Sequence, residues 1–307
     1  MEKKESVLVY GAGGEQGGAV ARKLLQEGLS VRLSARQAEK VEPLRALGAE
    51  WVPGGYEDPD SLRKATSGVQ KVVFQLPLEY DEAKAVAYGK NIIDAAKDAN
   101  VQKIVFNASS IVPEGVDLVA IRIKRRVIEH LRDSGIPYLV VKPTVYMENL
   151  LGPWTAPAIV NNQTFAYPIP ADMPVSWIAL EDVAAFISKA LRNERLNGAE
   201  LQIGGPQPLT GVEVASLLSR RLGKPIHYYP IPLDGFEQSL SAAIGPDAAK
   251  AVTDLYRWQS ELPSSPLVAG DMDDILKQLP VQLTSLEQFI QKTRWEAYEA
   301  GAERGSA

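Results

Sequence analysis

The 307-residue sequence contains no cysteine, only two histidines and few aromatic residues (7%). The absence of cysteine excludes disulfides, thiolate nucleophiles, iron–sulfur clusters and cysteine-ligated zinc. The two histidines, His130 and His227, stand far apart in the chain, which argues against a histidine-rich metal site. No stretch approaches the ~20 consecutive apolar residues of a membrane span. The net charge of −5 gives no indication of a dedicated nucleic-acid surface.

The remaining composition is typical of a soluble globular protein. Apolar residues make up 45% of the chain and charged residues 23%, and a chain of this length buries a sizeable core without disulfides. The first apolar run, residues 7–10, is too short for the hydrophobic region of a signal peptide. We therefore expect a cytoplasmic protein that makes no membrane contact.

Short apolar runs alternate with amphipathic segments over the first half of the chain. Strands are predicted at 6–10, 30–34, 50–52, 71–75, 103–106 and 138–141, and helices at 16–26, 39–47, 61–65, 81–100 and 121–134. This alternation indicates right-handed crossovers and a parallel sheet with helices on both faces. The predicted fold class is therefore α/β, with a Rossmann doubly wound parallel sheet in residues 1–150.

The regular pattern weakens after about residue 150. Residues 152–178 contain several prolines without a helical period and are predicted to be irregular. A helix at 181–193, a strand at 200–203 and a helix capped by Thr210 follow, and the remainder is predicted to form short helices and turns. We assign residues 151–307 to a smaller α+β C-terminal domain for substrate or partner, with segments within 175–205 returning to the first domain.

A glycine-rich turn connects the first predicted strand to the first predicted helix. Gly11, Gly14 and Gly17 have G-x-x-G-x-x-G spacing. Gly11 allows a sharp turn, Gly14 lets the backbone approach a pyrophosphate, and Gly17 lets the helix pack closely on the sheet. The free N–H groups at the helix start then face the anion. We predict dinucleotide binding here, against a turn without a ligand, and the remaining contacts of the turn are Gly13, Glu15 and Gln16.

Basic residues follow the second predicted strand. An NAD site would place an acidic residue here to hold the ribose hydroxyls, but the sequence has Arg36, with Lys40 one helical turn later. Guanidinium and ammonium groups suit a 2′-phosphate. The pair therefore favours NADP(H) as the cofactor, and the alternative is a solvated basic start to a helix.

Lys124 lies within the apolar arc of the predicted helix 121–134. A lysine there must pair, reach solvent along its stem or contact a ligand. The preceding strand delivers Asn107, Ser109 and Ser110 to the sheet edge where ligands bind in open parallel sheets. We predict that Lys124 contacts the nicotinamide ribose and carries the catalytic role, and the alternative is a structural ion pair.

The same sheet edge and the proline-rich segment supply the other predicted contacts. The further cofactor contacts are Gln75, Leu76, Pro77, Asn107, Ser109 and Tyr146. The predicted substrate contacts are Tyr80, Ser110, Met147, Asn149, Trp154 and Trp177. For each aromatic side chain the alternative is a place in the core, and for each serine it is a hydrogen bond at the strand end.

Several motifs together resemble the NmrA-like family of atypical short-chain dehydrogenases/reductases. They are the segment 9–18 (VYGAGGEQGG), Arg36, Gly68-Val69, Ser109-Ser110, the segment 134–138 (SGIPY) and the segment 146–149 (YMEN). The likeness is strong over residues 6–150 and fades after about 230. It implies a Rossmann domain that binds NADP(H) and a smaller C-terminal domain. Members of the family include quinone and dye reductases as well as redox-sensing regulators without turnover.

Two positions depart from the patterns that this resemblance implies. Short-chain dehydrogenases use a Tyr-x-x-x-Lys pair, in which the tyrosine moves the proton; Lys124 matches the lysine, but position 120 is alanine. Several NmrA-like members also lack this tyrosine. The family often has Gly-Asp after the third strand, where this chain has Gly54-Gly55, so a contact on the adenine side is expected to be missing.

Two functional hypotheses follow. The first is an NADP(H)-dependent oxidoreductase that transfers hydride to a small quinone or conjugated carbonyl acceptor, without the usual catalytic tyrosine. The second, motivated by Ala120, is a non-catalytic NADP(H)-sensing regulatory protein that binds a partner. We expect no direct nucleic-acid contact, because Arg122, Arg125 and Arg126 share their helix surface with acidic residues. A protein partner or a homodimer is compatible with either hypothesis.

Overall fold

A computed structural model of the chain describes residues 5–153 and 155–299. Within these residues the strands are β1 (Ser6–Tyr10), β2 (Ser30–Ala35), β3 (Glu50–Pro53), β4 (Lys71–Phe74), β5 (Lys103–Asn107), β6 (Tyr138–Pro143), β7 (Val145–Tyr146), β8 (Thr164–Tyr167), β9 (Val175–Ile178), β10 (Ala199–Ile203), β11 (Pro208–Leu209) and β12 (His227–Pro230).

The helices of the described residues complete the element order. They are α1 (Glu15–Gln26), α2 (Glu42–Ala46), α3 (Pro59–Thr66), α4 (Glu82–Asp98), α5 (Val119–Asp133), α6 (Thr155–Asn162), α7 (Leu180–Arg192), α8 (Gly211–Leu222), α9 (Leu233–Ile244), α10 (Pro246–Ser260), α11 (Met272–Gln278) and α12 (Leu286–Lys292). Short 3-10 helices cover Glu39–Val41, Met147–Leu151, Glu194–Leu196 and Trp295–Tyr298. No helix in residues 5–153 or 155–299 has both the length and the apolar character needed to cross a bilayer.

The chain divides into two compact units. Unit 1 contains the described residues up to Pro143 together with Leu180–Ile203 and Asp273–Val281. Unit 2 contains Thr144–Ala179, Gly204–Met272 and the described residues from Gln282 onward. Each unit is therefore assembled from three separate stretches of sequence.

Unit 1 is built on a seven-stranded parallel sheet in the order β10-β6-β5-β4-β1-β2-β3. The middle of each central strand is apolar, and Leu8, Phe74 and Phe106 are fully buried. Such strands suit a sheet that is covered on both faces. The chain leaves β1 toward β2 on one side and returns to β4 on the other, so a crevice opens at the carboxyl ends of these strands. The Rossmann-like sheet predicted from the sequence is confirmed.

At the amino edge of this sheet, two lysines hold the end of α7. Lys71 donates to the carbonyl of Leu191 at 2.7 Å, and Lys103 donates to the carbonyl of Asn193 at 2.6 Å. Cationic side chains satisfy the carbonyls that a helix leaves free at its C-terminus. Burial lowers the pKa of Lys103 to about 8. These contacts fix the segment 180–203 within unit 1.

Unit 2 contains a three-stranded sheet in the order β11-β9-β7 and a parallel pair, β12-β8. An aromatic cluster fills its interior: the ring centroids of Tyr167 and Trp177 lie 5.2 Å apart, and those of Phe165 and Tyr228 also lie 5.2 Å apart. β11 pairs antiparallel and β7 parallel with β9. Unit 2 is therefore a mixed α/β arrangement with a core of its own.

The prediction that residues 152–178 are irregular is wrong. This segment contains α6, β8 and β9. Its prolines do not interrupt these elements, because Pro157 lies in the first turn of α6 and Pro168, Pro170 and Pro174 lie between the two strands. The prediction of only short helices in the remainder is also wrong, since α9 has 12 residues and α10 has 15.

Candidate functional site

A cavity of about 670 Å³ lies in unit 1 at the carboxyl ends of β1 to β5. Loops that follow these strands supply its walls. The predicted cofactor contacts that line it are Gly11, Gly13, Gly14, Glu15, Gln16, Arg36, Lys40, Gln75, Leu76, Pro77 and Ser109. Residues that the sequence analysis did not propose as contacts also line it, namely Tyr10, Ser34, Ala35, Gln37, Gly54, Gly55, Tyr56 and Leu78.

The glycine-rich turn forms one wall of this cavity. Gly11 has φ +71°, a conformation that favours glycine, and Gly14 N–H donates to its carbonyl at 3.0 Å. A Cβ on Gly17 would lie 2.4 Å from the same carbonyl oxygen, so α1 packs against the turn at a distance that no side chain permits. The N-cap residue of α1 is Gly14, which has no side chain to cap the N–H groups at the start of the helix. This helix N-terminus is therefore suited to an anion.

Arg36 and Lys40 lie on the wall that follows β2, and both side chains are exposed. Neither appears in an ion pair with a carboxylate of residues 5–153 or 155–299. A Cβ on Gly13 would come within 3.3 Å of the Lys40 Cβ, so the stem of Lys40 runs alongside the glycine turn. Two cationic groups that have no carboxylate partner among the described residues and lie close to a helix N-terminus are chemically suited to a phosphate.

Gln75 and Tyr56 form the wall that faces Gly11. The Gln75 side chain is 8% exposed; its Nε2 donates to the Gly11 carbonyl at 3.3 Å, and its Oε1 is buried without a partner in the described part of the chain. The Tyr56 hydroxyl donates to the Gln75 carbonyl at 3.3 Å, and burial raises its pKa. A Cβ on Gly11 would approach Gln75 Nε2 to 2.5 Å. The unpartnered acceptor and the open cradle fit a bound dinucleotide.

From the sequence, Gly54-Gly55 stand out only as a departure from the Gly-Asp pattern of the family, and Tyr56 is not a predicted contact. Their position in the sequence could have predicted a contact, because these residues directly follow β3 and therefore lie at the same sheet edge as the other loops. Gly54 lies against β2, since a Cβ there would be 2.7 Å from Ser34 Oγ. The tyrosine thus occupies the region where we expected an adenine-side contact to be missing.

Gln16 joins the glycine turn to the end of β5. Its Oε1 accepts hydrogen bonds from Asn107 Nδ2 at 2.9 Å and from Ser109 Oγ at 2.8 Å. Ser109 has φ +60°, which is uncommon for a residue other than glycine, and its N–H donates to Asn107 Oδ1 at 3.0 Å. Strained positions of this kind persist where neighbouring contacts hold them. These contacts therefore hold the backbone directly before Ser110.

Lys124 donates a hydrogen bond to Ser110 Oγ. No carboxylate of the described residues pairs with this lysine. Burial lowers the pKa of Lys124 to about 8. Ala120, one turn earlier on α5, is 6% exposed and supplies no hydroxyl. Near neutral pH the lysine is therefore a buried ammonium that readily gives up a proton.

Several predicted contacts of unit 1 do not line this cavity, namely Gly17, Tyr80, Asn107, Ser110 and Lys124. Tyr80 is half-buried in unit 1, and burial raises its pKa to about 12. In unit 2, Tyr146, Met147 and Trp177 are buried, and Asn149 donates to the Tyr167 hydroxyl at 2.9 Å. Their roles as contacts stay predictions. Trp154 lies outside the described residues.

The arginines of α5 are paired with acidic groups or bonded to carbonyls. Arg122 contacts Glu82 and Asp117 at 2.9 and 2.7 Å, and Arg126 contacts Glu82 at 3.2 Å. Arg125 donates to two backbone carbonyls at 3.1 and 3.2 Å. The positive charge on this helix face is thus largely paired with carboxylates or hydrogen-bonded to carbonyls.

Comparison with known proteins places this site in a family context. The model of the NmrA-like family matches residues 3–298. The NAD(P)H azoreductase of Xenophilus azovorans is 31% identical over 88% of this chain and 92% of its own. The (4-alkanoyl-5-oxo-2,5-dihydrofuran-3-yl)methyl phosphate reductase of Streptomyces griseus is 33% identical over 80% of this chain and 84% of its own.

A solved structure shares the fold. The NADPH-dependent quinone oxidoreductase of Escherichia coli, complexed with NADPH, superimposes with a TM-score of 0.77. The match covers 92% of this chain and 98% of the oxidoreductase, at 23% sequence identity. At this identity the likeness concerns the fold.

Proposed function

Because the chain belongs to the NmrA-like family, we propose that it is an NADPH-dependent reductase of a small quinone or conjugated carbonyl compound. The observation that carries the proposal is the cavity of unit 1, where Arg36 and Lys40 lie without carboxylate partners among the described residues, alongside a helix N-terminus. These groups suit the 2′-phosphate and the pyrophosphate of one phosphorylated dinucleotide.

Different residues of the cavity bind different parts of the cofactor. The turn at Gly11 and the start of α1 hold the pyrophosphate through backbone N–H groups. Arg36 and Lys40 hold the extra phosphate, and Gln75 Oε1 accepts a hydrogen bond from a hydroxyl or amino group of the cofactor. NADPH, when bound, supplies the hydride. Binding the donor and the acceptor in a fixed orientation is then the main contribution of the protein to the rate.

Conjugated acceptors suit a site that lacks the tyrosine of short-chain dehydrogenases. A quinone or an enone is already electrophilic, so hydride addition needs less assistance than addition to a simple ketone. Two relatives support a conjugated acceptor, because their names specify an azoreductase and the reductase of an oxo-dihydrofuran compound. The proton that must accompany the hydride then comes from water or from Lys124.

A direct assay tests this function. Purified protein is mixed with NADPH and a panel of quinones, enones and azo dyes, and the loss of absorbance of the reduced nicotinamide is followed. We expect turnover with at least one acceptor and a clear preference for NADPH over NADH. Tight NADPH binding without oxidation across the panel would contradict the proposal.

Ala120 favours a second candidate function, a regulatory protein that senses NADP(H) without turnover. This candidate predicts that the affinity or the oligomeric state differs between NADP⁺ and NADPH. Calorimetric titration with both forms, together with gel filtration, measures this difference. Equal affinities and an unchanged elution volume would remove the support for a sensor.

A further inference from the structure

We propose that the Ser110 hydroxyl gives its proton to the reduced acceptor and that Lys124 returns a proton to Ser110. This inference rests on the proposed reductase function and names the acid that the site uses in place of the missing tyrosine. The geometry that carries it is the direct hydrogen bond from Lys124 Nζ to Ser110 Oγ at the carboxyl end of β5. Ser110 and Lys124 are both only partly exposed.

The hydrogen bonds of Ser110 have the direction that a relay requires. Its oxygen accepts from Lys124, and its own hydrogen is donated to the adjacent Ile111 carbonyl at 3.0 Å. The hydrogen bond to the carbonyl of the adjacent residue is weak. The Ser110 hydroxyl therefore rotates away from this carbonyl and donates to the oxygen of a bound acceptor. The proton path then runs from the lysine ammonium to the serine oxygen and from the serine hydroxyl to the acceptor.

The surroundings hold this serine in place. Ser109, in its left-handed conformation, is tied by its side chain to Gln16 and by its N–H to Asn107. Gln16 belongs to the first turn of α1, beside the glycine turn. The same contacts that shape the dinucleotide site therefore orient Ser110, which is the arrangement expected of a preorganised catalytic group.

Atoms and electrons balance in the proposed step. A quinone receives one hydride, with its two electrons, from NADPH and one proton from Ser110, and it leaves as the hydroquinone. Lys124 transfers a proton to the serine oxygen and becomes neutral. Water then reprotonates the lysine, so the net reaction consumes NADPH, one proton and the quinone.

Acceptors that differ in their need for a proton test this proposal. Menadione needs a hydride and a proton, whereas the cation of malachite green needs the hydride alone. We expect Ser110→Ala to lower kcat for menadione by about 100-fold, the lower end of the contribution of a general acid. Its rate with malachite green is expected to stay within about twofold of wild type, as is its Kd for NADPH. Ser110→Thr keeps a hydroxyl and should restore most of the menadione rate.

A measurement independent of turnover complements the rates. The protein is labelled with ¹³C at lysine Cε and titrated by NMR, and the Lys124 resonance is assigned with Lys124→Arg. We expect Ser110→Ala to lower the pKa of Lys124, because the ammonium loses its acceptor, whereas Ser110→Thr leaves it unchanged. The exposed Ser216 supplies the control, and Ser216→Ala should change neither the rates nor the titration.

The outcomes separate the two proposals. Equal losses with menadione and malachite green, an unchanged menadione rate in Ser110→Ala, or an unchanged Lys124 titration would each overturn the relay. If the wild-type protein reduces neither these acceptors nor any member of the panel, the proposed reductase function fails, and the titration alone decides whether serine and lysine are coupled.

Discussion

We propose that the choice between NADPH and NADH depends on Arg36. Its guanidinium lines the cavity without a carboxylate partner in the described part of the chain. We expect Arg36→Glu to weaken NADPH binding by at least tenfold, since a charge-assisted hydrogen bond contributes about 1.5–3 kcal/mol and the new carboxylate repels the 2′-phosphate. Binding of NADH, which lacks this phosphate, should change little. Fluorescence titration of both cofactors measures the difference.

Arg294→Glu is the matched control for this prediction. Arg294 is exposed and belongs to unit 2, and its substitution changes the net charge by the same amount. We expect this control to bind NADPH with wild-type affinity. Equal weakening by the two substitutions would mean that overall charge, and not a contact at position 36, governs binding.

Lys124 makes stability depend on pH. Burial lowers its pKa from 10.5 to about 8 in the folded protein, so between these values the unfolded state binds more protons and stability rises with pH. Below about pH 8 the cost of the buried ammonium is fully present. We expect Lys124→Met to be more stable than wild type by about 2 kcal/mol at pH 7, after allowance for partial solvent exposure.

This advantage of Lys124→Met should shrink as pH rises through 8 toward 10.5. Urea unfolding of the two proteins across this range measures it. Because both carry Lys103, whose pKa is lowered in the same direction, the difference between them isolates position 124. A constant difference at all pH values would contradict the assigned burial effect.

At the scale of elements, the contact between α4 and α5 depends on a missing side chain. Gly89 lies in the middle of α4, and a Cβ there would come within 2.5 Å of Val127 Cγ2 on α5. Alanine is the better helix former by about 1 kcal/mol, but the overpacking costs about 1–3 kcal/mol. We expect Gly89→Ala to lower the free energy of unfolding by about 1 kcal/mol, measured by urea denaturation.

Gly235 in α9 provides the opposite case. It is exposed, and a Cβ there would meet nothing within 4 Å. Gly235→Ala should therefore raise the free energy of unfolding by up to about 1 kcal/mol, as helix propensity alone predicts. A rise of equal size at position 89 would show that α4 and α5 separate to accommodate the methyl group.

The elements of unit 1 were predictable because each signal was local. A few consecutive residues are enough to predict an apolar strand such as Val7–Tyr10, the glycine turn or the amphipathic helix α5. Lys124 stands out in the sequence because it is a charged residue on the apolar side of that helix. The sequence also predicts Ser110 at the same sheet edge and favours a ligand contact of Lys124 over an ion pair. It does not contain the rotamers that bring Nζ to Oγ, so the hydrogen bond between the two residues is not predicted.

The elements of unit 2 were harder to predict. In β8, Phe165 and Tyr167 alternate with less buried residues, but four residues are too few to reveal a period. α6 begins with Pro157 in its first turn, so the proline suggested an interruption where it marks a helix start. This part of the fold depends on packing among aromatic side chains that are distant in the sequence. Such packing cannot be predicted from a short stretch of residues.

For the whole molecule, cofactor binding should appear as stability. A ligand that binds only the folded state at about 100 times its Kd stabilises it by about 2.7 kcal/mol. We expect NADPH at that concentration to raise the free energy of unfolding of unit 1 by this amount, measured by hydrogen exchange of amides in β1, β4 and β5. Because these strands belong to unit 1, amides of β8 and β12 in unit 2 serve as the internal reference.

NADH at the same concentration should protect the strands of unit 1 less. The reason is that Arg36 and Lys40 then have no phosphate to bind. Identical protection by both cofactors would contradict the role of these two residues. Family membership and the parallel sheet follow from the sequence and are confirmed. The segment 180–203, which belongs to unit 1, lies within the predicted 175–205, whereas the place of Asp273–Val281 in unit 1 follows only from the coordinates.

The interleaving of the two units bears on biosynthesis. β10, which completes the large sheet beside β6, is synthesised only after the first stretch of unit 2. A nascent chain that has just released β6 therefore carries an open sheet edge, and such edges invite pairing with other chains. Translation through residues 144–203 is the period in which this polypeptide is most exposed to aggregation, and slowing the ribosome there should lower the yield of native protein.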